Sequence, residues 1–184
     1  MDANPEYKRE GFKYVFLAYA DALQPPFRNY STGEWKMSDE VKSPEGVNLV
    51  PFVAQDKFNY SKSLYDAENN SVRRFVEDWA AVYNDCMAWS YGTFFYDYLC
   101  FYDSFGFYSE YYKLLKENKY MYTFAQIHDC QRGADTGFGV LHNYLCSKLA
   151  WNSDLAVNKL VDNYFKAMYK DAWVEMKELF TQES

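Results

Sequence analysis

The chain contains 184 residues with a mass of 21.8 kDa, which suits one compact domain or a large part of one. Aromatic residues make up 21% of it and charged residues 24%, which excludes intrinsic disorder, while only 8 Gly and 5 Pro exclude collagen-like or linker sequences. The net charge of −7 argues against a nucleic acid or an anionic membrane as partner. The chain contains no run of about 18 apolar residues, so no membrane span is predicted.

Four short runs of β-forming and apolar residues predict strands along the first two thirds of the chain. Each run is followed by turn signals, such as Asp21 and Pro25-Pro26 after the first run. Residues 27–46 mix Asn, Ser, Gly, Pro and charges without a period, which predicts a long loop. The predicted strands are residues 13–19, 47–53, 86–89 and 120–124.

Helical spacing appears between the later strands and dominates the end of the chain. Asn70 or Ser71 is expected to cap a first helix, and a second helix ends near residues 117–119. Three further helices are predicted beyond the loop 131–137. Apolar stripes define the five helices: Val72, Phe75, Val76, Trp79, Val82 and Tyr83; Phe107, Tyr111, Leu114 and Leu115; Phe138, Leu141, Leu145 and Leu149; Val157, Leu160, Val161, Tyr164, Phe165 and Met168; Trp173, Met176, Leu179 and Phe180.

Strands that alternate with helices predict β/α units and a parallel sheet, so the fold class is α/β. A complete (β/α)8 barrel typically needs eight strands and about 250 residues, and this chain supplies four strands. Residues 1–137 are therefore predicted to form half-barrel units, with the helices of residues 138–184 packed on the same domain. Such a half would leave two edges unpaired and open to association.

The cysteines and histidines do not predict a metal site or a cofactor. Four cysteines occur without a C-x-x-C pair, and we expect reduced thiols that are mostly buried. His128, Asp129, Cys130 and His142 match no metal-ligand spacing, and His142 falls on a helix that is expected to pack in the core. Nucleotide-binding glycine loops of the Walker and G-x-G-x-x-G types are absent.

In β/α folds the functional residues collect where strands end and loops begin. The residues in these places include aromatic rings, amides and a histidine, which suit a sugar because its C–H faces stack on rings and its hydroxyls need donors and acceptors. The alternative is that they are ordinary surface loop residues. The candidate substrate-binding residues are Tyr19, Tyr60, Trp89, Tyr91, Gln126 and His128.

Three acidic residues near the predicted strand ends are candidates for catalysis. Hydrolysis of a glycoside needs two carboxyl groups roughly 5 to 10 Å apart, and Asp21, Asp56 and Asp129 are the candidate acids or bases. The alternative for Asp129 beside His128 is an ordinary loop pair, which the sequence slightly favours.

Several short blocks of sequence, taken in order, resemble the bacterial family called domain of unknown function 4838. Together they span about residues 14 to 180. The blocks are Asp66-x-x-Asn-Asn70, the helix with Trp79, Trp89-Ser-Tyr-Gly-Thr-Phe94, Phe124-Ala-Gln126, Tyr144-Leu-Cys-Ser-Lys-Leu-Ala-Trp151-Asn-Ser-Asp154, and Leu160-Val-Asp-Asn-Tyr-Phe165 with Met168-Tyr169.

The resemblance implies a glycoside-hydrolase-like (β/α)8 barrel, similar to those of α-glucuronidases and hexosaminidases, of which this chain matches the C-terminal half. The implied partners are a carbohydrate ligand and either an N-terminal half-barrel upstream of Met1 or a second copy. Relatives are expected to be exported from bacteria, although the polar residues 1–10 do not form a signal peptide, so the compartment stays unassigned.

Two residues depart from the pattern that the resemblance implies. Ala125 stands where a Glu is expected and Ser90 where an Asp is expected. Three classes of function therefore stay open: a glycoside hydrolase, a catalytically inactive glycan-binding domain, and a protein-interaction domain whose aromatic residues serve the core and interface.

Overall fold

A computed structural model of the chain describes residues 11–36, 47–93, 101–127 and 138–183. Within these ranges Cys86 and Cys146 are buried free thiols, as predicted. The thiols of Cys100 and Cys130 lie outside the described residues. None of the described helices is long and apolar enough to cross a membrane.

The four predicted strands are present and form one parallel sheet. The sheet order follows the chain order, β1-β2-β3-β4, with β1 paired to β2, β2 to β3 and β3 to β4. Each strand differs by only one or two residues at either end from the range that the sequence predicts. The strands are β1 (Lys13–Ala18), β2 (Asn48–Ala54), β3 (Met87–Tyr91) and β4 (Tyr122–Gln126).

All five predicted helices are present in the described residues. Helix α1 lies between β2 and β3, α2 lies between β3 and β4, and three helices follow β4. The helices are α1 (Asn70–Val82), α2 (Phe107–Glu117), α3 (Gly139–Trp151), α4 (Val157–Tyr169) and α5 (Trp173–Glu183).

The predicted cap of α1 by Asn70 or Ser71 is wrong. The residue before the helix is Asn69, and its side chain makes no capping hydrogen bond. Asn69 is fully buried and uses its amide elsewhere, because Oδ1 accepts from the backbone N–H of Asn59 at 2.8 Å and Nδ2 donates to the carbonyl of the same residue at 3.0 Å. The amide therefore anchors the preceding loop rather than the helix end.

One face of the sheet is covered by helices. Strand register places Ala18, Val53, Ala88 and Thr123 in one row across the four strands, and the first three are fully buried. Two observations put α1 and α2 on this same face. Phe16 packs edge-on against Trp79 of α1 with ring centroids 5.8 Å apart, and the Tyr111 hydroxyl of α2 donates to Oε1 of Gln55, which follows β2 on the same side as Val53.

The opposite face carries apolar side chains that remain exposed. Its neighbouring row consists of Leu17, Phe52, Met87 and Tyr122, of which Leu17 is 50% and Tyr122 49% exposed. Successive side chains along a strand point to opposite faces of the sheet. Strands with apolar residues at nearly every position are therefore typical of a sheet that is buried on both faces. We call this row and its neighbours on the same side the open face.

A sequential parallel sheet with its helices on one face is the arrangement of half a (β/α)8 barrel, here followed by terminal helices. In a closed barrel the open face would be the interior. The terminal helices join the core through aromatic packing, with Phe180 of α5 4.8 Å from Phe105 and 5.5 Å from Phe165 of α4 between ring centroids. The fold class is therefore as predicted.

Candidate functional site

A pocket of about 340 Å³ lies on the open face at the carboxyl ends of the strands. Every strand contributes to it, either from its last residues or from the residue that follows. The lining residues are Leu17, Tyr19, Ala54, Trp89, Tyr91 and Gln126. This is the end of a β/α sheet at which ligands bind in such folds.

The floor of the pocket is an aromatic platform centred on Trp89. The ring of Trp89 lies near that of Tyr91, with centroids 6.2 Å apart and an angle of 26° between the ring planes. Phe124 packs edge-on against Trp89 at 4.9 Å, and Phe52 lies 5.4 Å away on the other side. Because three neighbouring strands hold the indole, its plane is fixed before any ligand arrives.

One side-chain hydrogen bond links the platform to the polar wall. The Trp89 Nε1–H donates to Oε1 of Gln126 at 3.1 Å. In the register of β3 and β4, Trp89 pairs with Phe124 and Tyr91 pairs with Gln126. Gln126 therefore lies two residues beyond Phe124 on the same face of the sheet as the indole. A flat aromatic surface and an amide thus meet within one pocket.

The electrostatic surroundings keep the Tyr91 hydroxyl protonated. Partial burial, with smaller contributions from the nearby Tyr19 and the negative charge of Asp56, raises the pKa of Tyr91 to about 12. Tyr91 is consequently a neutral phenol at every physiological pH. The same interaction identifies Asp56 as an exposed carboxylate close to the pocket.

The structure brings together four of the predicted substrate-binding residues, namely Tyr19, Trp89, Tyr91 and Gln126. Among the predicted acids, Asp56 lies beside this group. Asp21 is exposed in a short 3-10 turn, Ala20–Ala22, and does not line the pocket. The predicted residues His128 and Asp129 lie outside the described residues.

Tyr60 does not line the pocket. It is 3% exposed, and its hydroxyl joins the ends of two strands. The hydroxyl donates to the carbonyl of Gln55 at 2.8 Å and accepts from the backbone N–H of Tyr91 at 3.1 Å. Tyr60 therefore supports the backbone on which the pocket residues stand.

Two lining residues, Leu17 and Ala54, are absent from the predicted set. The strand pattern indicates that both face the pocket, because side chains two residues apart along a strand lie on the same face of the sheet. Leu17 lies two residues before Tyr19, and Ala54 lies in register with Trp89. The predicted substrate-binding set contains only polar and aromatic residues, whereas these two aliphatic residues form part of the pocket wall.

Ser90 and Ala125, the two departures from the family pattern, face away from the pocket. They are register partners on the helix-covered side. Ser90 is fully buried, and its side chain lies near the Tyr111 hydroxyl of α2. Neither position could therefore place a carboxylate in this pocket.

In the part of the chain that the structure describes, no group of three or more His, Cys, Asp or Glu side chains could hold a metal ion. The predicted core position of His142 is confirmed, because this residue is fully buried on α3.

The family model for a domain of unknown function, DUF4838, matches residues 16–179. The chain belongs to this family. No curated protein and no solved structure matches the chain. The matched range includes β2, β3, β4, the last three residues of β1 and all the residues that line the pocket.

Proposed function

We propose that this domain of unknown function 4838 member is a carbohydrate-active, glycoside-hydrolase-like domain that binds a glycan in the pocket on the open face. The observation that carries the proposal is the Trp89–Tyr91 platform next to the Gln126 amide. One face of a pyranose presents C–H groups that stack on aromatic rings, while the hydroxyls at its edge need donors and acceptors. Both requirements are met in one pocket by residues from neighbouring strands.

Binding is supported more strongly than hydrolysis. A glycosidase needs a second carboxyl group within roughly 5 to 10 Å of the first, and Asp56 is the predicted acid whose charge interacts with the lining residue Tyr91. The proposal therefore assigns Asp56 to the site as an acceptor or a catalytic carboxylate. Asp21 and Asp129 remain the candidates for a second carboxylate.

The open face also supports a proposal about the partner. Leu17 and Tyr122 leave about half of their surface exposed at the two edges of the sheet, and a closed barrel would bury both. We propose that an N-terminal half-barrel, which the family resemblance favours, covers this face and forms the opposite wall of the pocket. Sedimentation of the chain alone tests this. A stable dimer would favour a second copy as the cover.

Glycan binding can be tested by calorimetric titration with methyl glycosides of glucose, galactose, mannose, xylose and N-acetylglucosamine. Replacing Trp89 by Ala removes the platform and should abolish saturable binding of whichever glycoside binds. Trp151→Ala is the matched control, because Trp151 is 91% exposed on α3 and does not line the pocket. Equal affinities for the wild type and Trp89→Ala would contradict the proposal, as would a wild type that binds none of the panel.

Hydrolysis is tested separately with nitrophenyl glycosides of the same sugars. If Asp56 is catalytic, Asp56→Asn should lose turnover and keep glycoside affinity within a few-fold. A wild type that binds without turnover would establish a binding domain. A protein-interaction domain would show neither binding nor turnover.

A further inference from the structure

We propose that Trp89 is a positioning residue that orients the Gln126 amide, so that Nε2 of Gln126 donates a hydrogen bond to an uncharged hydroxyl of the bound sugar. This inference rests on the proposed glycan-binding function and adds the group that selects the ligand's polar edge. It assigns Trp89 a second role besides stacking.

The chemistry of the two side chains fixes which end of the amide faces the indole. An indole nitrogen can only donate a hydrogen bond, so its partner at 3.1 Å has to be the amide oxygen. The usual ambiguity between the amide oxygen and nitrogen is thereby removed. The Nε2 group consequently points away from Trp89.

The Nε2 group is left with donor capacity. Among the described residues Nε2 of Gln126 has no hydrogen-bond partner, and the side chain is half-buried in the wall of the pocket. An amide nitrogen carries two N–H donors, and a ligand that stacks on the platform would lie within their reach. The group that meets Nε2 must therefore be an acceptor.

The charge around the pocket indicates which acceptor fits. The described lining residues include no Lys or Arg, and the carboxylate of Asp56 interacts electrostatically with Tyr91. The ammonium of the neighbouring Lys57 is engaged by the carbonyl of Ala20 at 3.2 Å. A sugar carboxylate would be repelled by Asp56, and none of the described lining residues is a cation that would pair with it. A sugar hydroxyl accepts a hydrogen bond from Nε2 without charge repulsion and without needing a cation. The pocket therefore favours neutral sugars over uronic acids.

The experiment separates the two roles of Trp89 by using Trp89→Phe, which keeps an aromatic ring and removes the N–H donor. Gln126→Leu removes the amide at similar size, and the double variant completes the cycle. Affinities are measured with the methyl glycosides used above, and methyl glucuronoside is the charged comparison. Each single variant should bind a neutral glycoside about threefold to tenfold more weakly, the range expected for one hydrogen bond. The double variant should be no weaker than the weaker single variant.

A ligand-free readout checks the hydrogen bond itself. In ¹⁵N-labelled protein the Trp89 indole N–H signal, assigned by its loss in Trp89→Phe, should move upfield and exchange faster with solvent in Gln126→Leu. The other four tryptophan indole signals serve as internal controls for the fold.

The outcomes distinguish this inference from the function on which it rests. If the wild type binds a neutral glycoside and both single variants bind it equally well, the inference is overturned and glycan binding stands. Losses that multiply in the double variant, or an unmoved indole signal, would refute positioning by Trp89. Tighter binding of the glucuronoside than of the glycosides would refute the selection of a neutral edge. A wild type that binds no glycoside would overturn the proposed function and this inference together.

Discussion

His142 provides a sharp test of the packing of the terminal helices against the β/α units. The imidazole is fully buried, stacks on Phe105 with ring centroids 4.0 Å apart, and lies 2.8 Å from Ser104 Oγ through Nε2. Burial lowers the pKa of His142 from 6.5 to about 3, because the charged imidazolium would lose its hydration. The folded chain therefore holds this residue neutral.

The direction of the resulting pH dependence follows from proton binding. Between pH 6.5 and pH 3 the unfolded chain binds a proton at His142 and the folded chain does not, so stability falls as the pH falls. The contribution is present in full above pH 6.5. From these two pKa values, the free energy of unfolding should drop by about 2 kcal/mol between pH 7 and pH 5 because of this residue alone.

The assay is urea unfolding followed by tryptophan fluorescence at pH 7, 6 and 5, with the wild type compared to His142→Gln. Glutamine does not titrate and offers Ser104 a hydrogen-bond partner. All other ionisable groups are common to the two proteins, so the difference between them isolates His142. The wild type should lose about 2 kcal/mol relative to the variant on going from pH 7 to pH 5. A difference that stays constant over this range would refute the argument, because it would mean that the imidazole is protonated in the folded state.

Three further predictions concern the helix-covered side of the sheet. Asp78→Ala should lower the free energy of unfolding by about 2 to 3 kcal/mol in urea titrations, because it removes the buried carboxylate 2.6 Å from Arg28 Nη1; no loss would show that the pair contributes nothing net. Gly92→Ala should cost about 1 to 3 kcal/mol in the same assay, since its Cβ would lie 2.5 Å from the Tyr108 hydroxyl, and an unchanged midpoint would contradict that clash. Burial raises the pKa of Cys86 to about 12, so alkylation at pH 8, read by peptide mass spectrometry, should require unfolding, and rapid labelling in native buffer would be inconsistent with its buried position.

The order and type of the elements could be predicted from the sequence because the patterns are local. Alternating or continuous β-forming runs gave four strands within one or two residues of their observed ends, and apolar spacing gave five helices. The cap of α1 could not be predicted, because Asn69 is recruited by a loop ten residues earlier. A side chain that can bond in several ways takes the partner that tertiary packing offers.

The face of the sheet on which a residue after a strand lies was harder to predict than the strand itself. Gln55 is a polar residue directly after β2, the place where the sequence pattern predicts rim residues, yet it is fully buried on the helix-covered side. Its Oε1 accepts a hydrogen bond from the Tyr111 hydroxyl of α2. Tyr60 is likewise committed to backbone groups. A polar residue at a strand end has two faces available, and the partner that decides between them lies far away in sequence.

That same distinction between faces changes how the departures from the family pattern bear on catalysis. Ser90 and Ala125 suggest an inactive relative only if the acids expected at these positions would reach a substrate. Both positions face the helices, and an ionised carboxylate in place of Ser90 would be buried beside Tyr111. Their absence therefore removes nothing from the pocket on the open face. The proposed hydrolysis therefore depends on Asp56 and on a second carboxylate at the pocket, for which Asp21 and Asp129 are the candidates in this chain.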